Sequence, residues 1–312
     1  MQRLVLRIRS VLRKTLNPVG EAIVSAIAVG TLRATRYFNP DKSADAFARI
    51  ARKIGPKLRE HRIGRENLTA AFPEKSPEEI EAILGEVWDN LGRVGAEFAH
   101  IDRIFTYDLE NPDAGRVVFP KRTNELFDQM RTDGKGALIF SAHLGNWELP
   151  ALAGPAFGVD TAVLFRRPNL VAVDRAIQKV RGVNMGRLVA TSHNAPLQLA
   201  NALREGAHVG MLIDQFYDRG VHVNFFGRPA RVNPMLARVA RHVDCPIFGV
   251  RVVRLPNHRF SVELTEPVVP IRNAKGDIDV TATMQVITSI IEGWVRENPG
   301  QWLWLHRRWR NY

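Results

Sequence analysis

Between residues 134 and 264, short apolar runs alternate with capped helical segments, and this alternation limits the fold more than any other feature of the chain. The runs are "GALIFSA" (136–142), "TAVLF" (161–165), "HVGMLID" (208–214), "PIFGVRVV" (246–253) and "RFSVEL" (259–264). Their length and their Val, Ile and Phe content read as strands. Three helices are expected between the first four runs. Asn169 precedes "LVAVDRAIQKVR" and Gly182 follows it; Asn194 precedes "APLQLANALRE" and Gly206 ends it; Asn233 precedes Pro234 and "MLARVARHV". Asn at the start and Gly at the end are helix-boundary chemistry. Strand–helix alternation predicts an α/β fold with a largely parallel central sheet covered by helices.

The part before residue 134 reads as helical. "SPEEIEAILGEVWDNLGRVGAEFAH" opens with a capping box in which Ser76 is the N-cap, Pro77 the first helical residue and Glu79 the third. Apolar residues then recur at helical spacing, and the segment carries no evident chemistry. The first residues are different. Arg3, Arg7, Arg9, Arg13 and Lys14 precede an apolar stretch from about Ala22 to Leu32. That stretch falls short of the roughly 20 residues that a spanning helix needs. The pattern suits a helix lying on anionic lipid, with a helix docked on its own domain as the alternative. Two parts are therefore expected: an N-terminal membrane-anchoring segment (1–38) and one catalytic-size domain (39–312).

In open parallel sheets, sites gather at the carboxyl ends of strands. His143, Arg166 with Arg167, and Asp214 with Gln215 each follow a predicted strand directly. The first lies in "SAHLGNWELP", where Glu148 stands five positions after His143. On one straight helix these side chains would sit roughly 140° apart. A strand–turn–helix junction at Gly145 allows them to meet. A carboxylate on one ring nitrogen fixes the tautomer and frees the other nitrogen to take a proton, the arrangement of a general base with its orienter. A core histidine satisfied by a neighbour is the competing reading. Ser141 lacks the GxSxG elbow of a nucleophile, so an attacking hydroxyl is expected from the substrate.

Lys and Arg number 44 against 32 acids, for a net charge of +12. Such an excess calls for an anionic partner. No helix-turn-helix, zinc-finger, RNA-recognition or KH signature is present, so nucleic acid is set aside. The single cysteine, Cys245, excludes a disulfide framework, and no Cys/His set has metal-site spacing.

"HLGNWE" (143–148) resembles the HxxxxD/E motif of glycerolipid-type acyltransferases. Together with "RENLTAAFPEKS" (65–76), "FRRPN" (165–169), "DQ" (214–215), "FFGRPA" (225–230) and "WLWLHRRW" (302–309), it makes the chain resemble the late, lauroyl/myristoyl acyltransferases of lipid A biosynthesis in Gram-negative bacteria. The resemblance implies transfer of a fatty acyl chain from acyl carrier protein to a hydroxyl on an acylated, phosphorylated glucosamine disaccharide. It implies an inner-membrane protein facing the cytoplasm, with anionic membrane lipid as a further partner and no metal or small-molecule cofactor. His143 would be the base and Glu148 its orienter, with backbone N–H groups near Gly145 and Asn146 as oxyanion donors. Asn146, Arg166, Arg167, Asp214, Gln215, Arg228, His306 and Arg307 are the expected substrate-binding residues. Arg166 and Arg167 suit an anionic head group, because guanidinium forks match phosphate. Asp214 either joins the His143 network or binds substrate. Arg228 and Arg231 either hold a phosphate or carrier protein, or stand exposed on a hairpin. The tryptophans Trp302, Trp304 and Trp309 belong either to a membrane interface or to the core. An acyltransferase with another lipid acceptor, or a non-catalytic basic membrane scaffold, remains open at this point.

Overall fold

A computed structural model describes residues 20–309 apart from Asp113 and Asn184. Residues 20–35 are helical. The helices that follow are α1 (Pro40–Ile54), α2 (Arg59–Ala71), α3 (Pro77–Ala99) and the single turn α4 (Ile101–Ile104). After them come β1 (Val117–Val118), α5 (Lys121–Thr132), β2 (Leu138–Ser141), α6 (Pro150–Ala156), β3 (Thr161–Phe165), α7 (Val171–Arg181) and β4 (Arg187–Ala190). The chain continues through α8 (Ala195–Arg204), β5 (His208–Leu212), β6 (Val221–Phe225), β7 (Arg228–Val232), α9 (Met235–Val243), β8 (Ile247–Leu255), β9 (Arg259–Leu264) and α10 (Val280–Glu297).

Seven strands form one sheet in the order β1-β9-β8-β2-β5-β3-β4, and β6 with β7 makes a separate antiparallel hairpin. Within the large sheet every pairing is parallel except β8 with β9. The expected α/β architecture is therefore present. The centre of the sheet is fully buried at Leu138, Phe140, Ala162, Val209 and Ile247. Phe140 stacks on Trp294 of α10, with ring centroids 5.6 Å apart.

The helix starts follow local chemistry. Ser76 and Glu79 make both bonds of the capping box. Asn233 accepts the N–H of Met235 at 3.0 Å. Asn169 is not the cap that its position suggests: Leu170 is still extended, so α7 starts one residue later and has no side-chain cap. Asn194 stands at the start of α8 without a side-chain capping bond. The edge strand β4 is absent from the sequence reading. It is four residues long and opens with Arg187, which pairs with Asp160 and Glu205, so its apolar run is only Leu188 to Ala190, too short to stand out.

The first nineteen residues of the expected anchor segment lie outside the described residues. In the helical residues 20–35, Ile23, Val24 and Ile27 face solvent. Just beyond, Arg36 grips Asp102 through two hydrogen bonds of 2.8 and 2.9 Å. No described helix is long and apolar enough to cross a membrane.

Candidate active site

Sheet register assembles the site. Strands β2 and β5 are adjacent and parallel, with Ser141 opposite Leu212. Two residues further on, His143 and Asp214 face each other at the carboxyl end of the sheet. His143 Nδ1 lies 2.8 Å from Asp214 Oδ1. The carboxylate can only accept, so Nδ1 carries the proton and Nε2 is left as the basic nitrogen. Asp214 Oδ2 accepts the His143 backbone N–H at 2.8 Å and the Trp302 indole N–H at 2.8 Å. The carboxylate is 3% exposed, so this full set of donors is what makes its burial tolerable. Burial opposes charge on both partners. Their attraction outweighs it, holding Asp214 well below the usual carboxylate range and raising the His143 pKa, with Glu148 adding to the latter.

The expected pairing of His143 with Glu148 is replaced in this geometry. Both Glu148 oxygens are taken by Arg181 of α7, through Nε at 2.9 Å and Nη2 at 2.5 Å. The turn between His143 and Glu148 carries the two side chains to different partners. Glu148 still lines the same cavity as His143 and acts on it through space.

A second buried network holds the loop. Gly145 has φ +57°, and a Cβ there would lie 2.3 Å from the Val252 carbonyl oxygen, so only glycine fits. Its N–H donates to the Gln301 carbonyl at 3.0 Å and is not free to serve as an oxyanion donor. Its own carbonyl accepts from Asn90 Nδ2 at 3.0 Å. Asn146, expected among the substrate-binding residues, is fully buried, donates to Glu97 at 2.8 Å and does not line the cavity beside His143, so it braces the loop. Glu97 is in turn clasped by both terminal nitrogens of Arg254, whose Nε donates to Asn90 at 2.9 Å.

A cavity of about 890 Å³ opens beside His143. Trp147, Glu148, Arg166, Arg167 and Gln215 line it, and Gln215 Nε2 is 3.4 Å from His143 Nε2. Arg166 and Arg167 are exposed at its mouth, directly after β3. Its interior is mainly apolar, with Met130, Ile139, Val163, Leu188 and Val250 among its walls. Ser141 also lines the cavity, but its hydroxyl donates to the Val250 carbonyl at 2.7 Å.

Three expected substrate ligands lie apart from this cavity. Arg228 sits at the start of β7 with its guanidinium 4.8 Å from the Trp309 ring centre. Arg307 is exposed elsewhere on the surface. His306 bonds the Leu303 carbonyl through Nδ1 at 2.8 Å, and burial pushes its pKa down to about 4. A neutral imidazole here brackets the C-terminal segment, and the nearby Asp214 carboxylate only partly offsets the effect of burial. Trp302 and Trp304 are buried at 1% and 0% exposure, and Arg308 at 1%, so this segment packs into the core. Sequence reasoning missed Arg181, Glu97, Asn90 and Arg254 as loop supports. Each lies outside the recognisable motifs, and only the fold brings it near. Among the described residues no cluster of His, Cys, Asp or Glu is placed to hold a metal.

A histidine anchored by a buried acid at the mouth of an apolar cavity is suited to proton removal from an alcohol beside a hydrocarbon chain. Comparison with known proteins gives the family. The model of the family "Bacterial lipid A biosynthesis acyltransferase" matches residues 13–311. The lipid A biosynthesis myristoyltransferase of Escherichia coli (strain K12) is 22% identical over 264 residues, covering 83% of this chain and 77% of the relative. The lipid A biosynthesis acyltransferase 1 of Shigella flexneri is similar to the same extent, 22% identical over 264 residues. With the family match running over nearly its whole length, the chain belongs to the bacterial lipid A biosynthesis acyltransferases.

Proposed function

We propose that this acyltransferase moves a fatty acyl chain from acyl carrier protein to the hydroxyl of a 3-hydroxyacyl chain on a phosphorylated glucosamine disaccharide lipid. The observation that carries the reading is the His143 dyad: Nδ1 is fixed by Asp214 and Nε2 is left basic beside an apolar cavity. Nε2 takes the proton of the acceptor hydroxyl as its oxygen attacks the thioester carbonyl. The tetrahedral intermediate then collapses, the C–S bond breaks, and the imidazolium returns its proton to the departing thiolate. Asp214 orients the ring and balances its charge. Glu148, pinned by Arg181, adds negative potential beside the imidazolium that the guanidinium partly offsets. Transfer is direct, since the Ser141 hydroxyl is engaged and the cysteine lies elsewhere. Burial pushes the Cys245 thiol up to about 11, which suppresses its thiolate. Arg166 and Arg167 at the mouth offer the acceptor phosphate two guanidinium forks.

In this reading the enzyme works at the cytoplasmic face of the inner membrane, where a lipid acceptor and a soluble carrier protein would meet. Exposed Ile23, Val24 and Ile27 support contact of the N-terminal helix with lipid. The test is mass spectrometry of products from purified protein given acyl carrier protein thioesters and the phosphorylated disaccharide lipid. Wild type adds one acyl chain, and His143→Ala is slower by about a hundredfold or more. Equal turnover by the two proteins would remove His143 from the chemistry. Transfer only to a different lipid would change the acceptor and leave the dyad in place.

A further inference from the structure

The cavity floor is a strip of sheet. Gly210 of β5 pairs with Ile139 of β2 on one side and Val163 of β3 on the other, and His208 pairs with Thr161. Side chains alternate along strands, so His208, Gly210 and Leu212 project from one face, with Ile139, Thr161 and Val163 beside them. All six line the cavity that opens at His143. The cavity thus runs down the strands from their carboxyl ends toward their starts. Four residue steps lead from His208 to Leu212, a rise of about 13 Å. An extended covalent chain advances about 1.2 Å per bond, so this strip matches roughly ten carbon–carbon bonds of an alkyl chain.

Gly210 lies halfway along. A Cβ built there meets no atom within 4 Å. Gly249, in the neighbouring strand β8, is the opposite case: its Cβ would come within 2.6–2.8 Å of the Phe140 and Trp294 rings. One glycine is demanded by a packed face, and the other keeps a space empty. A glycine inside a strand weakens it, which gives the open space at Gly210 a cost and points to a use.

We propose that Gly210 is the specificity-determining residue for acyl chain length. Its missing side chain lets the donor's hydrocarbon pass the middle of the sheet and reach the level of Thr161 and His208. The inference rests on the acyl-transfer reading and extends it to one position on the donor side.

The experiment measures kcat/KM of the full chain with acyl carrier protein thioesters from butyryl to palmitoyl, for wild type, Gly210→Ala and Gly210→Val. A Cβ meets no neighbour at this position and valine is a strong strand former, so the fold is expected to be retained, which thermal melts check. In Gly210→Val the longest donor accepted becomes shorter, and the ratio of long-chain to short-chain kcat/KM falls by about a hundredfold. Gly210→Ala shifts the profile the same way by less, and it carries the test alone if the valine variant does not fold. An unchanged profile, or an equal loss for every donor, overturns the assignment of Gly210. A wild-type protein inert with all donors overturns the parent reading and this proposal together.

Discussion

Asp214 sets both the tautomer and the basicity of His143, and the two effects can be measured separately. The base must be neutral to accept a proton. Because the His143 pKa is raised, kcat/KM in wild type is expected to climb with pH through a midpoint above that of an ordinary histidine. Asp214→Asn removes the charge that holds the proton, so the midpoint should move down. The plateau should also fall, because an amide can hold the wrong tautomer. A pH–rate profile whose midpoint stays in place after the substitution would remove Asp214 from the dyad. The residue scale is also where sequence reading was most exposed. His143 was legible from its position after an apolar run. Glu148 was the nearby acid in sequence, and Asp214, seventy-one residues away, was readable only as a strand-end acid that either joins His143 or binds substrate; the structure shows the first. Its approach depends on strand order, which periodicity does not encode.

At the scale of elements, the loop from His143 to Glu148 is held by α3, β8 and the segment after α10. The Glu97–Arg254 pair joins the first two, and Glu97 is only 3% exposed. Removing one partner leaves an uncompensated buried charge, a loss of about 3–5 kcal/mol. Glu97→Leu and Arg254→Leu should each lower Tm strongly, while the double variant recovers part of the loss. A double variant as unstable as the sum of the singles would show that the two charges are not coupled. The helices and most strands were readable because caps and apolar periods are local. Glu97 was not readable as a brace, since a glutamate on the helical pattern of α3 gives no sign of facing inward. Asn146, expected to touch substrate, is turned to Glu97 for the same reason: its motif fixes neighbours in sequence and leaves the direction of the side chain open.

On the whole molecule, the proposed reaction gives the surplus of +12 a use, the attraction of an acidic carrier protein and anionic lipid. Exposed Arg166 and Arg167 place part of that surplus at the cavity mouth. Charge attraction of this kind weakens with screening, so kcat/KM should fall as ionic strength rises from low to physiological. Steady-state assays across a salt series at fixed pH check this, and a flat response would assign the charge to some other task. The C-terminal aromatics do not contribute to such a surface as fully as their composition suggests, because Trp302 and Trp304 are internal.

The stitching of the catalytic loop to residues 301–303 has a consequence in time. Gln301 receives the Gly145 N–H, Leu303 donates to the His143 carbonyl, and Trp302 supplies one of the donors that keep Asp214 ionised. A nascent chain therefore cannot complete the hydrogen-bond set of Asp214 until Trp302 has left the ribosome, by which stage every residue lining the cavity beside His143 has already been synthesised.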